Sequence, residues 1–232
     1  MCFCAGANFV GSAVLGTIGV ATLLEVKHRR ELLLAAMPTL FALHQFTEGF
    51  VWLGLDHILP ANVAHDAGAA FILYAQGFLP FVMPLSVLLI EPTIRRRQRM
   101  LGFTILGAAL GLYILWGLTA APFQVFLHDR SIDYENPYTN SVAVAVLYIL
   151  ATCGALLFSG YQYLVVFGVL NIAGLVVVDL IKSYAFTSLW CAYAAVISVI
   201  IYCFFRQSRP DRLANCLPDP PLVGNRGFDI RS

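Results

Sequence analysis

Seven apolar runs, each about the length that carries a helix across the hydrocarbon core of a bilayer, constrain this chain more than any other feature. They cover approximately Ala5–Leu24, Leu32–Leu55, Ala67–Ile90, Leu101–Thr119, Ser141–Phe158, Tyr163–Leu180 and Tyr184–Phe205. The division between the last two rests on Asp179, Lys182 and Ser183. In lipid every backbone N–H and C=O must be satisfied within the protein, which leaves helices for runs of this length. The expected fold is an all-α integral membrane protein: one bundle of seven transmembrane helices over residues 1–205. A tail follows over 206–232, rich in Pro and charge, for which disorder is predicted. Only 12% of the 232 residues are charged, about half the share in a soluble domain.

Orientation follows from the basic residues. Lys27, Arg29 and Arg30 fall in the first loop, Arg95, Arg96, Arg97 and Arg99 in the third, and Arg206, Arg209, Arg212, Arg226 and Arg231 after the last run. With seven spans these twelve of 14 lie on one side, and Arg130 and Lys182 lie opposite. The N-terminus is therefore expected outside and the C-terminus in the cytoplasm, with a bacterial plasma (inner) membrane as the location. Arg206, Arg209 and Arg212 are placed near anionic headgroups. The first run is expected to remain as a helix, because its positive charge follows the apolar stretch, the reverse of a cleavable signal. A net charge of +1 gives no reason to expect nucleic acid. The partners expected are the lipid bilayer and other membrane protein subunits.

Within the runs, Gly107 and Gly111 form a GxxxG pair and Gly6, Gly11, Gly16 and Gly19 punctuate the first helix; small residues so spaced let helices approach closely. Pro38, Pro80 and Pro84 each remove a backbone donor and predict kinks. Trp52, Trp116 and Trp190 fall near the outer ends of runs, as expected of an interfacial belt or of core packing. The loop from Ala120 to Asn140 is long enough to fold over the mouth of the bundle.

The most unusual residues are His44, Gln45 and Glu48, inside the second run. An acidic side chain at mid-membrane depth costs roughly 2.5–3.5 kcal/mol on insertion scales and is met by partners or water. His44 and Glu48 are four residues apart and Gln45 and Glu48 three, so both pairs can meet on a helix, with Trp52 a further turn along. Two readings stand side by side: a proton, ion or ligand site, or a polar knot tying helices together through Asn171, Gln76, Tyr74 or Ser12.

A second constellation lies in the outer loops, where Asp56–His57, His65–Asp66 and His128–Asp129 are adjacent pairs and Cys2 and Cys4 are on the same side. Imidazole, thiolate and carboxylate are ligands for zinc or copper, so His57, His65, Asp66 and His128 are candidates for a transition metal; the same residues also serve ordinarily at helix ends. Cys153, Cys191 and Cys203 fall within runs and are expected to pack as small apolar groups. Lys182 is spaced to pair with Asp179 or to reach the interface. The last run holds no Lys, which removes a retinal Schiff base. No nucleophile motif, phosphate loop, haem attachment or dinucleotide fingerprint is present.

The start MCFCAGANF, the segment HQFTEGFVW and the segment SLWCAYAAVIS together resemble an uncharacterised bacterial membrane family. That family opens Met-Cys-Phe-Ser, carries Gln-Gln-x-x-Glu-Gly-x-x-Trp and closes on a Trp-Cys-aromatic-aromatic-Ala-Ala span. Cys2, Phe3, Gln45, Glu48, Gly49, Trp52, Trp190 and Cys191 match its pattern, whereas Cys4 replaces a Ser and His44 replaces the first Gln. The resemblance implies that Gln45 and Glu48 matter more than His44, and Cys2 more than Cys4. The functional expectation is binding, passage or sensing of a small polar ligand or ion at an outward-opening site of Glu48, Gln45, His44, Trp52 and Cys2. The alternatives are a non-catalytic subunit of a larger membrane complex and a membrane metalloenzyme using the outer His, Asp and Cys residues.

Overall fold

A computed structural model of the chain describes residues 4–128, 131–139, 141–181, 186–207, 211–212 and 216. They are mostly helical, and a helix follows each of the seven apolar runs. In chain order these are α1 (Ala5–Leu24), α2 (Leu32–Ala35), α3 (Met37–Leu55), α4 (Ala61–Ile72), α5 (Leu79–Ile90), α6 (Ile94–Ala120), α7 (Val142–Leu157), α8 (Gln162–Ile181) and α9 (Phe186–Arg206). Three helices among the described residues are long and apolar enough to cross a membrane: Ala5–Leu24, the continuous Ala61–Ile90 and Ile94–Ala120. Shorter apolar stretches run over Val142–Leu157, Gln162–Val176 and Val196–Arg206. α3 is long enough, but His44, Gln45 and Glu48 lower its hydropathy. The outward faces of α1, α6, α7 and α8 are apolar, with Val10, Ile105, Leu112, Val146 and Val169 exposed.

The prolines act differently from one another. The second run is broken before Pro38: α2 ends at Ala35 and α3 begins at Met37, with the proline in its first turn, where a missing N–H costs nothing. The third run starts at Ala61, earlier than hydropathy indicated, and continues to Ile90. It passes through a π-helical turn, Leu73–Phe78, just before Pro80. A wider turn is one way a helix absorbs a residue that cannot donate. Pro84 sits within α5.

Glycine sets the closest approaches. The GxxxG pair of α6 packs on the backbone of the π turn and of α5: a Cβ at Gly107 would collide with the Pro80 carbonyl, and one at Gly111 with the Gly77 carbonyl. Backbone cannot swing aside as a side chain can, so Gly107→Ala is expected to cost about 1–3 kcal/mol. Gly102→Ala, where the added carbon meets nothing within 4 Å, should gain from better helix propensity. Thermal unfolding in mild detergent separates the two; equal behaviour would refute this packing.

Among the described residues two clusters of buried hydrophobic side chains lie along α3. The larger gathers Leu15, Phe41, Val82, Met100, Leu156 and Phe167 from six helices. The smaller, at the far end of α3, gathers Ala5, Val51, Trp52 and Ile132. Gln45 and Glu48 fall on α3 between them.

The loop after α6 is a hairpin, β1 (Gln124–His128) and β2 (Ser131–Glu135), paired antiparallel from Gln124 opposite Glu135 to His128 opposite Ser131. It lies over the small cluster through Ile132 and Tyr134. Asn136 anchors its far side, donating to the carbonyls of Gly117 (3.3 Å) and Ala121 (3.1 Å) at the end of α6.

Arg212 departs from the headgroup position expected of it. Arg212 is buried, not at a headgroup surface, and its Nη2 donates to Glu31 Oε1 at 2.7 Å. Its guanidinium also lies 4.8 Å from the ring centre of Phe204 and 5.3 Å from that of Phe205. Cys216 then forms an isolated antiparallel bridge with Tyr161. A buried carboxylate is strongly destabilising without a partner, and Arg212 is the cation that meets Glu31.

Candidate functional site

α3 presents its polar residues on two faces. Gln45 and Glu48 turn toward α1, where the side-chain amides of Gln45 and Asn8 meet directly and Gln45 Nε2 donates to Glu48 Oε2 at 3.4 Å. Amide orientation follows from the network around it. With the Asn8 nitrogen turned to the carboxylate, Nδ2 donates to Glu48 Oε2 at 2.9 Å and Oδ1 accepts from Trp52 Nε1 at 3.1 Å. All four side chains are buried, Glu48 at 1% exposure and Asn8 at 0%. α1 can come this close because α3 carries Gly49, where Phe9 fills the space a side chain would take. Ser12 also crosses to α3, donating to the Ala42 carbonyl at 2.8 Å.

His44 faces the other way. Its ring stacks on Phe71 of α4 with centroids 4.0 Å apart and lies 4.7 Å from Tyr74. Phe71 in turn stacks on Tyr134 of β2, centroids 4.8 Å apart. Among the described residues no hydrogen bond joins His44 to Glu48, because the ring is held by Phe71 of α4 and Tyr74 of the π turn. His44 Nδ1, the Tyr74 hydroxyl and the Tyr134 hydroxyl are buried without a hydrogen-bond partner among the described residues. Buried polar atoms nearly always have a partner, so three around one ring stack stand out.

Tyr134 ties the stack to the carboxylate. Burial, and then the negative charge of nearby Glu48, push its phenol well above the ordinary value. A raised folded value for an acid means the protonated form is favoured by folding. That stability is complete below the unfolded phenol value of about 10 and is lost as pH rises past it. Tyr134→Phe should therefore leave stability at neutral pH nearly unchanged and flatten its loss above about pH 10. Thermal unfolding across pH 7–11 tests this, and equally steep curves would refute it.

Of the other anticipated positions, Trp52 packs within this cluster, being 4% exposed. Trp116 is exposed and lies 4.9 Å from the ring of Tyr138. Cys2, and the side chains of Trp190, Cys191, Asp179 and Lys182, lie outside the described residues. Asn171 and Gln76, offered as partners for the polar patch, each have a buried side-chain oxygen without a partner among the described residues.

The histidines put forward as metal ligands do not converge among the described residues. His57 has φ 57°, and its N–H bonds the Gly54 carbonyl while that of Ile58 bonds the Leu53 carbonyl, at 3.0 and 2.9 Å. That left-handed residue closes α3 in a Schellman turn. His65 is exposed beside Asp66, Nδ1 to Oδ1 3.7 Å, and stacks on Phe123 at 4.7 Å. The His128 side chain lies outside the described residues. Among those described, no three His, Cys, Asp or Glu converge as metal ligands.

Two contributors to the Glu48 cluster were not anticipated, Asn8 and Tyr134. Asn8 is the only amide in the first apolar run, a signal of the same kind as the one at Gln45. Tyr134 sits in a polar loop, where nothing local marks it.

Residues 1–216 match the model of DUF6629, a family of unknown function. The chain belongs to this family. An uncharacterised family is what the quoted motifs implied, and the match extends to the residue that bridges Tyr161. No curated protein and no solved structure matches the chain.

Proposed function

We propose that this DUF6629 chain is a seven-span membrane protein that binds a small polar ligand or ion beside Glu48, beneath the β1–β2 hairpin. In this reading the N-terminus and hairpin face outward, the basic loops and C-terminus face the cytoplasm, and the membrane is the bacterial inner membrane. The supporting observation is the group of buried polar atoms lacking partners among the described residues, His44 Nδ1 and the hydroxyls of Tyr74 and Tyr134, near the Glu48 cluster. Such atoms fit a site completed by a bound molecule, since leaving each unsatisfied costs about 1–3 kcal/mol. Glu48 supplies charge, Gln45 and Asn8 orient it, Trp52 donates to Asn8, and the phenol of Tyr134 is the contact that arrives from the lid. The cluster is closed by the hairpin, so entry requires the hairpin to lift.

The test is thermal stability of the purified protein against a panel of alkali cations, ammonium, small amines and amino acids, with Glu48→Gln in parallel. A ligand at a hundred times its dissociation constant stabilises by about 2.7 kcal/mol. A shift in the parent protein that Glu48→Gln and Tyr134→Phe both lose is the expected result. No shift with any probe, or an equal shift in Glu48→Gln, would remove the reading.

A further inference from the structure

At the opposite end of the bundle from the hairpin lies a cleft of about 540 Å³, bordered by the turn before α2, the start of α6, Tyr161, Phe204 and Arg212. Its volume is in the range of small-molecule sites. Four arginines line it, Arg29, Arg30, Arg97 and Arg212, against two carboxylates, Glu31 and Glu91.

Both carboxylates are committed to the protein. Glu31 accepts from Arg212 Nη2 at 2.7 Å and from the backbone N–H of Lys27 and His28 at 3.3 Å. Glu91 accepts from Ser159 Oγ at 3.1 Å and from Gly160 N, with Arg96 at 4.0 Å. Each is thus balanced by one buried arginine, Glu31 by Arg212 and Glu91 by Arg96. Arg29, Arg30 and Arg97 make no ion pair among the described residues, so their charge is left to the cleft. A second observation points the same way. Arg212 is buried, yet its Nε has no hydrogen-bond partner among the described residues. A buried guanidinium N–H at the wall of a cationic cleft lacks an acceptor.

We propose that this cleft binds a phosphate-bearing anion, with Arg29, Arg30 and Arg97 converging on the phosphate oxygens and Arg212 Nε closing the set. Guanidinium groups match phosphate in charge and in paired N–H geometry. The apolar wall of Leu89, Ile90 and Phe204 suits a ligand with an apolar portion. Two sources share this chemistry: a soluble phosphate monoester and the headgroup of an anionic phospholipid. This site is separate from the one at Glu48 and stands whether or not that reading holds.

The experiment is thermal unfolding of the full chain in neutral detergent with two probes, inorganic phosphate and dioleoyl phosphatidic acid. The comparison proteins are Arg29→Gln, the double variant Arg30→Gln/Arg97→Gln, and Arg99→Gln outside the cleft. At a hundredfold excess over the dissociation constant, a binding probe is expected to raise Tm by about 5 °C. Arg99→Gln keeps this shift, and Arg29→Gln and the double variant lose most of it. A shift with phosphate identifies a soluble ligand, and a shift with the lipid alone identifies a headgroup. No shift with either probe, a shift retained by both cleft variants, or one lost equally in Arg99→Gln overturns the proposal. Arg29 is exposed, so its variant gives a reading even if the double variant fails to fold.

Discussion

Arg212→Ala is expected to destabilise the protein by about 3–5 kcal/mol, the cost typical of removing one partner from a buried ion pair. The arginine and Glu31 are both nearly buried, at 6% and 7% exposure, and they touch at 2.7 Å. Without the guanidinium the carboxylate keeps, among the described residues, two long backbone contacts, and Phe204 and Phe205 lose the cation above them. The penalty lies in the stranded charge more than in the lost bond, which gives the prediction its check. Glu31→Leu combined with Arg212→Leu should recover much of the loss, because replacing both ions with apolar groups is often neutral. Thermal unfolding in mild detergent measures all three proteins. A single variant within 1 kcal/mol of the parent would show that the pair is hydrated.

Glu48→Leu is the second large effect, about 1–3 kcal/mol from the buried amide donor, Gln45 Nε2 or, with the Asn8 amide turned, Asn8 Nδ2, that loses its acceptor. Glu48→Gln should behave differently. It keeps the volume and one acceptor oxygen, so its stability is expected to stay within about 1 kcal/mol of the parent while ligand-dependent stabilisation disappears. That split separates a polar knot from a binding site. If the carboxylate only ties α1 to α3, the glutamine serves equally well. If it holds a ligand, fold and binding part company. A Glu48→Leu protein as stable as the parent would mean that Asn8 and Gln45 satisfy one another, and that the carboxylate contributes nothing to the knot.

The polar cluster was half legible. Gln45, Glu48 and Trp52 stood out because a charge and an amide interrupt an apolar run, and the structure brings them together. His44 stood out for the same reason, yet it belongs to a different face. Helical spacing shows which residues share an azimuth within a turn or so; it does not show which neighbour claims each. α4 supplied that neighbour in Phe71, on which Tyr134 of the hairpin stacks in turn. For the tail, composition predicted disorder because Pro and charge dominate it. Arg212 is drawn inward by Glu31, a partner in the first loop.

What the sequence by itself determined is where helices form, because that demand is local: each run must satisfy its own backbone and expose an apolar surface. The GxxxG contact of α6 belongs here too, since two absent side chains advertise a close approach. What only the tertiary structure decided is which polar groups meet. Asn8 reaches Gln45 across 37 residues, and Arg212 reaches Glu31 across 181. Contacts at such separations leave no periodic trace, because they depend on how whole helices are placed side by side. The physical reason is the high cost of an unpaired charge or amide in an apolar interior, which selects the packing that joins them without prescribing where along the chain the partner must lie.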